Sequence, residues 1–130
     1  LAKQGVRFVN RQPGSGTRVF VDLEMKAAGL GPKSVAGYED EETTHMGVAR
    51  AVAEGPATVA IGISAAANAY GLDFVLLSKE RYDLVIPRER WESRPVLAIR
   101  EILASERFRS SALALGGYDV SETGSHSLVD

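Results

Sequence analysis

Apolar positions along this chain switch between two periods. Val6 to Val9 is a short apolar run of strand character, and a polar stretch, Arg11-Gln12-Pro13-Gly14-Ser15-Gly16-Thr17-Arg18, follows it. From about Thr17 to Ala28, the residues Val19, Phe20, Leu23 and Ala27 recur at helical spacing, and Gly29 with Pro32 supplies the stop. Ser34 to Tyr38 reads as a short strand. The acidic run Glu39-Asp40-Glu41-Glu42 leads to Thr43 and Thr44, either of which can cap a helix ending at Gly55. Carboxylates just ahead of that helix suit its positive end. Ala57 to Ile63 is almost unbroken in its apolar character, which predicts a strand buried on both faces at the centre of a parallel sheet. Ser64 then caps a short alanine-rich helix that Gly71 terminates.

Asp73 to Leu77 and Tyr82 to Ile86 are the remaining predicted strands, separated by Ser78-Lys79-Glu80-Arg81 and closed by Pro87. Pro95 fits the first turn of a helix running to about Leu103. A second helix begins at Ser105, carries Phe108, Ala112 and Leu115 on one face, and ends at Gly116-Gly117. The segment 119–130 is polar and is expected to fray. This order predicts an α/β fold of three layers around a largely parallel sheet.

Composition narrows the class without naming a function. A chain of 130 residues, 45% hydrophobic and 25% charged, matches one globular domain. There is no cysteine, so disulfides and thiolate metal sites are excluded. The formal net charge of −2 gives no reason to expect nucleic acid or an anionic membrane as partner. No apolar run approaches the roughly 20 residues of a membrane span. Leu1 is not followed by a leader pattern, and a preceding segment is expected outside this sequence.

Chemistry concentrates in residues 13–17, Pro-Gly-Ser-Gly-Thr, between the first strand and first helix. Open α/β sheets bind ligands at the carboxyl ends of their strands. Glycines let backbone N–H groups converge there, and a helix start adds unpaired N–H groups and partial positive charge. Arg11, Gly14, Ser15, Gly16, Thr17 and Arg18 are therefore candidate anion-binding residues, with Arg11 as the charge partner. The local sequence equally admits a plain helix cap at Ser15 or Thr17. A P-loop is excluded because Gly16 is followed by Thr17-Arg18, and a dinucleotide fingerprint because position 19 is valine.

Four separated stretches, RFVNRQPGSGTRVFVD, GYEDEETTHMGVARAVAEG, GLDFVLLSKERYDLVIP and LGGYDVSETG, resemble the periplasmic-binding-protein-like domain in the right order. That domain is associated with molybdopterin biosynthesis proteins and helix-turn-helix regulators, and is similar to type II solute-binding proteins, molybdate binders among them. The resemblance implies one lobe of a type II fold, with residues 1–118 forming a second lobe plus its return segment and 119–130 a polar tail. It implies a small anionic ligand, a molybdate-like oxyanion or small carboxylate, bound without catalysis and without a cofactor. Tyr38 joins the candidate ligand-binding residues. Where such domains usually read Gly-x-Ala-Asp, this chain reads Gly55-Pro56-Ala57-Thr58.

The remaining polar residues carry plainer readings. His45 reads as a surface or capping residue, the acidic run as a solvated loop, and Glu80-Arg81 as a surface pair. Trp91 is expected against a sheet edge or partner. With half of a two-lobed site missing, the chain is expected to form a homodimer through Tyr82 to Leu115, and a cytoplasmic location is expected. Two alternatives stand beside ligand binding: a dimerisation module without ligand, and an accessory domain of a molybdopterin biosynthesis enzyme.

Overall fold

A computed structural model describes residues 1–128, which divide into two compact units, the second beginning at Val75. In the first unit, strand β1 (Phe8–Arg11) leads into helix α1 (Gly16–Ala27), followed by a 3₁₀ turn at Pro32–Ser34. Strand β2 (Glu41–Glu42), helix α2 (His45–Glu54), strand β3 (Val59–Ala60) and helix α3 (Ser64–Ala69) complete it. The sheet order is β2-β1-β3, and both pairings are parallel.

Side chains of β1 alternate between two cores. Phe8 packs with Val21 and Met25 of α1 and with Val35 and Tyr38, whereas Val9 packs with Val48 of α2 and with Ala57. Helices thus cover opposite faces of the sheet, the expected α/β layering.

The centre of that sheet is β1, not the predicted strand at Ala57 to Ile63. Only Val59–Ala60 ladders there, at an edge, facing Phe8 and Val9. The sequence pattern misplaced the centre because β1 ends in Asn10 and Arg11, polar residues that are nevertheless 1% and 8% exposed.

Three other predicted strands move or vanish. Ser34 to Tyr38 forms turns, although Ala36 O accepts a hydrogen bond from Phe8 N at 2.8 Å. The second strand lies instead in the acidic run, where an edge position tolerates charge. Asp73 to Leu77 and Tyr82 to Ile86 form no strand among the described residues. Val75, Tyr82 and Val85 are 78%, 81% and 96% exposed. Apolar runs of this kind need a neighbouring ladder to form strands, and the described residues supply none.

The inward stripe of α1 also differs from expectation. Arg18, Val21 and Met25 are buried, while Val19 and Leu23 are 52% and 61% exposed. A hydrophobicity pattern assigns arginine to solvent and so selects the wrong face.

In the second unit, a 3₁₀ turn at Arg88–Arg90 precedes α4 (Arg94–Ala104) and α5 (Glu106–Leu115). Pro95 sits in the first turn of α4, and Ser105 caps α5 by accepting from Phe108 N at 3.2 Å. Trp91 packs under the Arg100 guanidinium, 4.2 Å from its ring centre, and against His126. Residues 119–126 are engaged rather than frayed: Arg109 donates to Val120 O and Thr123 O, and Arg81 pairs with Glu122. Val129 and Asp130 lie outside the described residues. Among the described residues, no helix is long and apolar enough to cross a membrane.

Candidate functional site

The carboxyl end of β1 gathers the polar groups singled out in the sequence. Gln12 continues toward β2 by donating its N–H to Glu42 O at 3.2 Å. Gly14 then takes φ +86°, a left-handed conformation that favours glycine, and reverses the chain into α1. Ser15 is the N-cap: its hydroxyl accepts from Arg18 N and donates to Gln12 O, both at 3.1 Å. Val19 N closes the first helical bond on Ser15 O. The amides of Gly16 and Thr17 consequently have no acceptor among the described residues, as expected for a first turn. Gly14 and Gly16 are exposed, and α1 has no acidic residue in its first turn. The local sequence left cradle and cap as alternatives. The structure contains the cap, and the cap leaves two amides open.

Arg11 lies at this same end of the sheet, 8% exposed. Its Nη2 donates to Thr43 O at 3.0 Å and its Nε to Gln12 Oε1 at 3.3 Å. Nη1 is buried with no hydrogen-bond partner. No carboxylate pairs with it among the described residues, whereas Arg7 pairs with Asp40 and Arg18 with Asp22 and Glu41. A sheltered charge without a counter-ion is costly by several kcal/mol, so such groups are ordinarily paired.

Arg18 and Tyr38 occupy a different place from the open amides. Arg18 Nε donates to Tyr38 Oη at 3.2 Å and to Asp22 at 3.3 Å, and Nη1 donates to Glu41 at 2.8 Å and to Arg11 O at 3.2 Å. Its guanidinium carbon stands 4.2 Å from the centre of the Tyr38 ring. Tyr38 Oη donates to Asp22 at 2.6 Å. That bond, followed by burial, holds the phenol above its ordinary pKa against the opposing pull of Arg18. Both side chains therefore spend their polar atoms inside the unit, tying α1 to β1 and β2.

Sequence reasoning missed Asn10, Asp22 and Glu41. Asn10 donates from Nδ2 to Tyr38 O at 3.2 Å and accepts from Arg11 N at 2.9 Å, holding the end of β1. The Arg18–Asp22 spacing of four on a helix was a usable signal, and so was a polar residue ending an apolar run.

At the neighbouring helix start, Thr44 caps α2 by accepting from Gly47 N at 2.8 Å. The Glu42 carboxylate stands beside it, with Oε2 2.6 Å from where a Cβ on Gly47 would sit. His45 begins α2 and faces Gly62, 3.7 Å from that glycine's notional Cβ. Thr58 clasps the other end of β1: its hydroxyl accepts from Arg7 N at 2.9 Å and donates to Arg7 O at 3.2 Å. A shallow depression bounded by Arg7, Pro32, Gly37 and Asp40 also lies at that opposite end. No group of three His, Asp or Glu side chains converges on a metal position among the described residues.

A parallel sheet with helices starting at the carboxyl ends of its strands is an arrangement of open α/β folds. The chain belongs to the periplasmic-binding-protein superfamily: the PBP superfamily domain matches residues 1–104. It is 36% identical over 124 residues to the uncharacterized protein YvgK of Bacillus subtilis (strain 168), covering 95% of this chain and 40% of that protein. It is also 37% identical over 107 residues to an uncharacterized protein in the ferredoxin 2Fe-2S gene 5' region of Clostridium pasteurianum, covering 82% of this chain and 95% of that protein. The chain thus spans 40% of the length of the Bacillus relative. No solved structure matches it.

Proposed function

We propose that this chain contributes one lobe of a binding site for a small anion, and that it senses or carries the ligand without turning it over. The observation that carries the proposal is Arg11: a guanidinium 8% exposed, with Nη1 unpartnered, at the carboxyl end of the central strand. The open amides of Gly16 and Thr17 support it, because an anion there meets N–H donors and the positive end of α1. Membership of the PBP superfamily supports ligand binding in general. Arg11, Gly14, Ser15, Gly16 and Thr17 form the proposed contact set, and Arg18 with Tyr38 shapes it from behind. A molybdate-like oxyanion and a small carboxylate are the two ligand classes this set suits, in a cytoplasmic, molybdate-responsive or cofactor-biosynthesis setting for the former.

Thermal unfolding of the full-length protein across a panel of molybdate, tungstate, sulfate, phosphate and small carboxylates tests the proposal. A ligand at a hundred times its dissociation constant adds about 2.7 kcal/mol to stability. A saturable rise in Tm with at least one anion, absent in Arg11→Met, is expected. No rise with any of them would sink the reading.

A further inference from the structure

We draw no further inference here: the strongest candidate, the surface patch formed by Val19 and Leu23 on the solvent face of α1, is an unpartnered apolar helix face, and nothing in the structure shows what covers it.

Discussion

Arg18 Nη1 donates to the backbone carbonyl of Arg11 at 3.2 Å, so a residue on the first turn of α1 holds the last residue of β1. The same guanidinium reaches Glu41 on β2 and Tyr38 behind the sheet. One side chain thus ties the helix start, the central strand and the edge strand into a single arrangement. The open amides of Gly16 and Thr17 and the sheltered Arg11 are held on that frame.

Removing one hydroxyl from the frame should be felt in stability. Tyr38→Phe keeps the ring under Arg18 but deletes the bond to Asp22 and leaves Arg18 Nε one acceptor short. A loss of about 1–2 kcal/mol is expected from a sheltered hydrogen bond of this kind, measured by urea unfolding. A change within a few tenths of a kcal/mol would show that the network does not constrain the unit.

The same phenol gives a pH signature. Its pKa in the folded protein is raised, chiefly by the bond to Asp22 and then by burial. The folded state therefore retains the Tyr38 proton where the unfolded chain has lost it. The resulting stability is fully present below the ordinary tyrosine pKa and declines as pH rises from about 10 through the folded value. Tm should fall more steeply above pH 10 in the native sequence than in Tyr38→Phe. Parallel curves would remove Tyr38 as the cause.

Gly37 adopts φ +82°, and a Cβ there would collide with Phe8 O. That carbonyl belongs to backbone and cannot swing aside as a side chain can. Gly37→Ala should destabilise by at least about 2 kcal/mol, combining left-handed strain with the clash. A native-like denaturation midpoint would contradict the close approach of this turn to β1.

Arg11 should behave oppositely to an ordinary buried arginine. With no carboxylate to orphan, Arg11→Met removes an uncompensated charge, and the ligand-free protein should be as stable as before or up to about 1 kcal/mol more stable. Any anion-dependent rise in Tm should disappear with it. A loss of several kcal/mol in the absence of anions would mean that the bonds to Thr43 and Gln12 outweigh the burial of charge.

The run from Phe74 to Val85 carries Val75, Leu76, Leu77, Tyr82, Leu84 and Val85 exposed, in two apolar stretches with no ladder among the described residues. Such unpaired apolar backbone recruits another chain. The 130-residue polypeptide is expected to self-associate at micromolar concentration, and Val85→Lys should shift it toward monomer. Sedimentation velocity checks both, and a monomer in the native sequence would oppose the expectation.

Local chemistry was sufficient for most elements whose signals are local, although Ser64, expected to cap α3, is its first residue, and Ile63 at the N-cap position makes no side-chain capping bond. Ser15, Thr44 and Ser105 cap α1, α2 and α5, and Pro95 opens α4, because capping is decided within a few residues. The α/β class and the loop that carries the open amides follow from the same short-range patterns, and the order of motifs was enough to indicate the superfamily. What tertiary structure alone decided was which strand is central, which face of α1 turns inward and where each arginine's charge is spent. β1 is the middle strand because β2 and β3 flank it, a fact its polar ending conceals. Arg18 faces inward because Asp22, Tyr38 and Glu41 meet it there, residues 4 to 23 positions away in sequence. Arg11 remains without a carboxylate for a complementary reason. Pairing depends on long-range placement of opposite charges, and the described residues bring none to Nη1.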